Sequence, residues 1–299
     1  MIPIIKCLLR SPPVLSRIVL FCTIAGAVLA AGCGGSGNAD DAVVAAFYPL
    51  AFAAEQVAPS GTEVAGLTPP GAEPHDLELS ARDVEQVGAA ELVVYAGGGF
   101  QPAVEDAVAG RSGRSLDVLS QVDLLQAGEP GATGADPHVW LDPVRYAQIA
   151  RAVARELGRP GAADALVDRL GRLDVEYARG LARCERRELV TSHAAFAYLA
   201  DRYDLEQVSL AGVTPEAEPD ARDIERLVDK VRDSRATTVF FEPLASSRLA
   251  ETVARESGVA TAVLDPLEGL TSEQVDAGAD YFSVMRENLA ALRAALGCT

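Results

Sequence analysis

Histidine occurs only three times in this 299-residue chain, as His75 in GAEPHDLELS, His138 in ADPHVWLDP and His193 in LVTSHAAF. None of them lies on a long amphipathic pattern. Each instead follows a short β-rich run, and in open α/β sheets the carboxyl ends of strands are where ligands bind. Any one of these residues alone reads as a satisfied polar or surface residue. Three together, each at a strand exit, are better explained by convergence on one site, and imidazoles that converge without an acid partner usually share a metal. A fourth donor is then expected to be a carboxylate, which offsets the cation's charge. Asp265, in VATAVLDPLEGL, ends an apolar run and is followed by the stiff Pro266, so it is the preferred candidate. Asp142 has a similar Leu-Asp-Pro setting but is expected to cap a helix that opens at Pro143. Glu242, at the end of ATTVFF, is assigned to a supporting position beside the ligands or to none.

The elements that must position these residues are legible as alternation. Strands are expected at 41–47, 62–67, 91–96 and 115–119, and again at 187–192, 205–211, 236–241 and 259–264, with helical patterns between them. Four runs on each side of a helical middle predict an α/β fold of two lobes, each with a four-stranded, mostly parallel sheet flanked by helices. From 162 to 185 the residues Leu166, Leu170, Leu173, Tyr177, Leu181 and Cys184 recur at steps of three and four, which predicts one long helix joining the lobes. A faint repeat, SARDVEQV from Ser80 and DARDIERLV from Asp220, opens each time on an N-cap residue and leads each time into a strand.

Composition narrows the function. The formal charge is -17, with 43 acidic against 26 basic residues, so phosphate backbones are repelled and nucleic acid is excluded as a partner. Residues 1–32 read as a secretory signal: Lys6, Arg10 and Arg17 precede the apolar stretch 18–31, which is too short to span a bilayer comfortably. The stretch ends in Ala-Ala-Gly-Cys, which resembles a bacterial lipobox and implies cleavage before Cys33 and lipidation of its sulfur. Here Ala30 stands where leucine is usual. GGSGNADD then reads as a flexible tether within 33–41. Of five cysteines, Cys7 and Cys22 leave with the signal and Cys33 takes the lipid, which leaves Cys184 and Cys298 as one available pair in an oxidising compartment. The alternative is a buried free thiol at Cys184.

Several motifs then fall into one order: EPHDLELSARDVEQVGAAELVVYAGGGFQP, DPHVWLDP, TSHAAFAYLADRYDL, EAEPDARDIERLVDKV, TVFFEP and VLDPL. Spread over residues 42–290, they resemble the metal-specific solute-binding proteins of zinc and manganese ABC transporters. The resemblance implies a cation held between two lobes and delivered to a membrane permease with its ATPase. Carried over position by position, the ligands fall on His75, His138, His193 and Asp265. Manganese-type members have a carboxylate at the third position, where this chain has His193. Three imidazoles and one carboxylate suit tetrahedral zinc better than hard manganese, so Zn2+ is the expected cargo and Mn2+ ranks behind it.

The expected organisation is a signal at 1–32, the tether, an N-terminal lobe at 42–143, connecting helices at 144–186 and a C-terminal lobe at 187–299. The protein is expected to be a lipid-anchored monomer on the outer face of the cytoplasmic membrane and not an enzyme. The rival is a zinc hydrolase with three histidine ligands and a catalytic water, though no G-x-S-x-G elbow surrounds Ser192 and no P-loop residues follow Gly97 to Gly99. Two departures from the family stand out. The segment QAGEPGATGAD, 126–136, lacks the histidine-rich loop of many zinc-type members, and Gln101-Pro102-Ala103 replaces the usual Glu-Pro-Trp.

Overall fold

A computed structural model of the chain describes residues 42–127, 134–213 and 221–299. The expected signal, tether and lipidated Cys33 lie outside these residues, as do Asp220 and part of the 126–136 segment. No described helix is long and apolar enough to cross a membrane.

All eight expected strands form. β1 (Val43–Ala45), β2 (Val64–Gly66), β3 (Leu92–Tyr95) and β4 (Arg114–Asp117) make one parallel sheet in the order β2-β1-β3-β4. β5 (Glu188–Thr191), β6 (Glu206–Ser209), β7 (Thr238–Phe241) and β8 (Ala260–Val263) make a second in the equivalent order β6-β5-β7-β8. Parallel sheets are covered on both faces, and the inner strands show it: Val-Val-Ala of β1 and Leu-Val-Val of β3 are wholly buried, while the edge strands β2, β4 and β8 keep exposed positions.

Helices cross between the strands. In the first lobe these are α1 (Tyr48–Val57), α2 (Ala81–Ala89) and α3 (Pro102–Ala109); α4 (Pro143–Glu156) and α5 (Asp164–Gly180) follow, between the two sheets in the chain. The second lobe adds α6 (Ala197–Tyr203), α7 (Ala221–Asp233), α8 (Arg248–Ser257), α9 (Ser272–Asp276) and α10 (Tyr281–Leu296). Local chemistry sets their starts. Ser80 and Asp83 form a capping box at α2, with the Ser80 N–H donating to Asp83 at 2.8 Å. At α4 the Asp142 carboxylate accepts from Val144 N at 2.8 Å while Pro143 takes the first helical position, as expected. The repeated sequence segments become α2 and α7, each feeding the strand next to the central one of its sheet, β3 and β7. The repeat therefore marks equivalent positions in the two lobes.

The helix between the sheets is shorter than its apolar stripe suggests. Leu166, Leu170, Leu173 and Tyr177 are buried along α5, but the helix stops at Gly180, a poor helix former that packs against Leu289 of α10. Beyond it the chain pairs with the C-terminus: Arg186 N donates to Leu296 O at 3.1 Å, Thr299 N to Arg183 O at 3.0 Å, and a disulfide joins Cys184 to Cys298. The main core runs from the first sheet through α4, α5 and α10 to Tyr198 and Leu199 of α6 and Phe196 just before it, and on to Leu264 and Leu267 after β8. A smaller core under α7 and α8 gathers Val190, Val228, Val231, Val239 and Val253. The larger core thus ties the exits of the strands in both lobes to one rigid body of side chains, which is what a shared site needs.

Candidate metal centre

His75 sits in a 3-10 turn, Pro74–Asp76, after β2; His138 leads the turn Val139–Leu141 ahead of α4; His193 comes two residues after β5 ends. The segment after β8 supplies the fourth member. One donor atom from each of His75, His138, His193 and Glu268 lies within 4.8 Å of all the others. The Glu268 Oε1 atom stands 2.9 Å from His138 Nε2 and 3.3 Å from both His75 Nε2 and His193 Nε2. Donors around a tetrahedral zinc ion, with bonds of about 2.0–2.1 Å, lie about 3.3 Å apart, so the spacings from Glu268 to the three imidazoles are already close to those of such a shell.

The structure brings the three expected histidines together and corrects the carboxylate: Glu268 converges with them, and Asp265 does not. Asp265 is buried, but both of its oxygens are occupied. Oδ1 accepts from Leu267 N at 2.7 Å and Oδ2 from Gln274 Nε2 at 2.8 Å. The strand-exit rule stopped at the first acid in VLDPLEGL. An Asp followed by Pro often spends its carboxylate on the turn itself, and that signal would have pointed to the second acid.

Two histidines are held from behind by carboxylates. His138 Nδ1 donates to Asp136 Oδ1 at 2.8 Å, and His193 Nδ1 donates to Glu242 Oε1 at 2.5 Å, with Ser192 Oγ also donating to Glu242. Such contacts fix the tautomer and leave Nε2 as the free donor to a metal. Glu242 thus stands beside a histidine, one of the two placements the sequence left open for it. His75 is placed through its backbone: its N–H donates to Glu73 at 3.2 Å, and Gln101 Nε2 donates to the preceding carbonyl, of Pro74, at 3.2 Å. That bond explains the change at position 101, because an ionised glutamate has no hydrogen to give a carbonyl. Trp140, the only tryptophan, is buried with its ring 5.3 Å from that of His138. Tyr198 of α6 donates to Asp136 O at 2.8 Å and accepts from Leu125 N at 3.0 Å, so the helix after His193 also secures the segment before His138.

Electrostatics make the site a trap for a cation. Burial on its own depresses the His193 imidazolium, but Glu242 and Glu268 outweigh it and push its pKa up to about 10. Burial likewise opposes charge on His138, and Asp136 and Glu268 leave its pKa raised. Glu268 is the complement: burial favours its neutral form, yet hydrogen bonds to His138, His193 and His75 hold it well below the usual carboxylate range. Glu73 is pushed up to about 8 by burial and by Glu268. Glu268 Oε2, Glu242 Oε2 and Asp136 Oδ2 are buried without a hydrogen-bond partner, and the nearest partner of His193 Nε2 is Glu268 Oε1 at 3.3 Å. At about 1–3 kcal/mol for each such group, this concentration of lone pairs is costly unless something cationic collects them.

A measurable consequence follows for pH. With its pKa raised, His193 is protonated in the metal-free protein at neutral pH, and a metal must displace that proton. Zinc titrations near pH 7.5, repeated in buffers of different ionisation enthalpy, are expected to show release of about one proton or more, with affinity falling as pH is lowered. An ordinary histidine would release almost none there, so a binding heat that is independent of the buffer contradicts this electrostatic reading.

Comparison with known proteins gives the same picture from outside. The chain matches the family model described as the periplasmic zinc-uptake complex component A over residues 43–295. The zinc-binding protein AdcA of Streptococcus pyogenes serotype M6 is 35% identical over 283 residues, covering 84% of this chain and 55% of AdcA. This chain therefore spans about half the length of such relatives. The high-affinity zinc uptake system protein ZnuA of Bacillus subtilis is 30% identical over 308 residues, covering 93% of this chain and 97% of ZnuA. Among solved structures, the Zn(II)-bound ZnuA-like domain of Streptococcus pneumoniae AdcA aligns with a TM-score of 0.71 at 35% identity, covering 85% of this chain and 98% of that one. The periplasmic zinc-binding protein TroA of Treponema pallidum, at 24% identity, shares the fold with a TM-score of 0.75 and covers 86% of this chain and 99% of its own. Two equivalent parallel sheets, a converged histidine–carboxylate group and a family match over most of the chain lead to one conclusion: the chain belongs to the ZnuA family of periplasmic zinc-uptake components.

Proposed function

We propose that the protein captures Zn2+ outside the cytoplasm and hands it to an ABC permease and its ATPase. The observation that carries this reading is the convergence of three imidazole nitrogens and one carboxylate, from four separate segments of the chain, on one largely buried point. His75, His138, His193 and Glu268 are the proposed ligands. Three nitrogen donors favour zinc over manganese; copper and nickel are disfavoured by supply and geometry more than by intrinsic affinity. Zn(II) is also what the related AdcA domain holds in its structure.

The same donors argue against a hydrolase. A catalytic zinc keeps one position for water and needs a free general base nearby. Here Glu268 takes the fourth position, and Glu242, the available base, is engaged by His193 and Ser192. The protein is thus read as a carrier without enzymatic activity. It is further proposed to be a monomer tethered by lipidated Cys33 to the outer face of the membrane, with lobes at 42–143 and 187–299 and connecting helices at 144–186.

The test is a zinc titration of the full mature chain followed by Trp140 fluorescence, paired with zinc uptake in cells with and without the permease. The proposal expects one ion per chain, a fluorescence change that saturates with it, and uptake that needs both proteins. Absence of zinc binding, or permease-independent uptake, overturns it.

A further inference from the structure

Asp265 and Glu268 leave the same strand exit three residues apart, yet only Glu268 faces the histidines. What separates them is a tightly built turn. Asn288 of α10 clamps the main chain of Asp265 on both sides: its Oδ1 accepts from Asp265 N at 2.9 Å, and its Nδ2 donates to Asp265 O at 2.7 Å. Pro266 O accepts from Trp140 Nε1 at 2.8 Å, which ties the turn to the segment carrying His138. Leu270 O accepts from Gly71 N at 2.8 Å, which ties it to the segment carrying His75.

The critical residue is Leu267. It is fully buried and has a φ of 56°, the left-handed region that a branched residue enters only against steric opposition. The Asp265 carboxylate offsets that opposition by accepting from Leu267 N at 2.7 Å. Its other oxygen is fixed by Gln274, whose own Oε1 caps α9 by accepting from Thr271 N at 2.8 Å. The left-handed step reverses the chain and delivers Glu268 Oε1 to within 2.9–3.3 Å of three imidazoles. Without that bond Leu267 has a buried N–H to satisfy elsewhere and no reason to remain left-handed.

We infer that Asp265, braced by Asn288 and Gln274, is a positioning residue that aims Glu268 at the three histidines and so sets metal affinity without touching the cation. This rests on the metal-capture reading above. It also accounts for a buried carboxylate only three residues from the site that takes no part in the converged group.

The test uses the full mature chain and Zn2+ affinity by chelator competition for wild type, Asp265→Ala, Asp265→Asn, Glu268→Gln and the double variant Asp265→Ala/Glu268→Gln. Residues that support metal ligands are worth roughly 10- to 100-fold in affinity, and Asp265→Ala is expected to lose that much. Asp265→Asn keeps an oxygen for Leu267 N and is expected to restore most of the loss. If Asp265 acts through Glu268, removing it from the Glu268→Gln background adds little, because two residues serving one contact are not additive. With saturating Co2+, the visible spectrum of Asp265→Asn should match wild type, while that of Glu268→Gln should shift. Additive losses, or a shifted Asp265→Asn spectrum, overturn the inference. Should Asp265→Ala fail to fold, the Asp265→Asn affinity and spectrum decide alone: a loss as large as that of Glu268→Gln overturns it. A wild type that binds neither ion defeats the metal-capture reading instead, and a Glu268→Gln variant that binds like wild type defeats both.

Discussion

His193→Ala is expected to weaken zinc binding by two to three orders of magnitude. Structural zinc sites hold their ion with about 10–16 kcal/mol in all, so one of four ligands carries roughly a quarter, about 2.5–4 kcal/mol, and each 1.4 kcal/mol is tenfold. His193 is expected to exceed an average ligand, because its removal leaves the buried Glu242 with Ser192 as its remaining donor on Oε1, while Oε2 already lacks a partner. Competition titrations with a chelator of known affinity measure the loss, and circular dichroism separates it from unfolding. A folded variant that binds zinc as wild type does would remove His193 from the site.

The second large effect concerns stability and leaves the metal alone. Cys184 and Cys298 are 114 residues apart in sequence, and closing a loop of that size withdraws about 4.7 kcal/mol of chain entropy from the unfolded state. Replacing both by serine is expected to remove most of this, which for a chain of this size lowers Tm by roughly 10 °C or more. The bond joins the segment that follows α5 to the segment that follows α10, and α10 carries Asn288 seen at the turn that delivers Glu268. Zinc affinity of the folded double-serine variant should nevertheless stay near wild type, since α10 is also held by buried Tyr281, Met285 and Leu292 and by the Tyr177 hydroxyl bonded to Met285 O. Thermal melts with and without reductant measure the effect. Coincident melts for both proteins would show that the crosslink contributes nothing.

Much of this was legible because parallel sheets leave a strong mark in sequence. Val43, Val44, Leu92, Val93 and Val94 are apolar because both faces of their strands are covered, and that makes strand exits easy to find. His75 and His193 stood out after such runs, whereas His138 lies well beyond β4, in the turn that leads into α4. What failed were features decided by backbone geometry and by single contacts that no hydrophobic pattern encodes. The choice between Asp265 and Glu268 depends on a left-handed residue at Leu267, which no hydrophobic pattern encodes. The end of α5 depends on Gly180 meeting Leu289, a contact between segments more than a hundred residues apart. The role of Gln101 became readable only once its amide was seen to reach Pro74 O, across 27 residues of chain.

Zinc-edge anomalous diffraction from crystals of the zinc-loaded protein tests the central claim most directly. One peak is predicted per chain, about 2.0–2.2 Å from the Nε2 atoms of His75, His138 and His193 and from a carboxylate oxygen of Glu268, with no water in the first shell. A peak bonded to Asp265 in place of Glu268, a shell completed by water, or a peak away from the three imidazoles would contradict it.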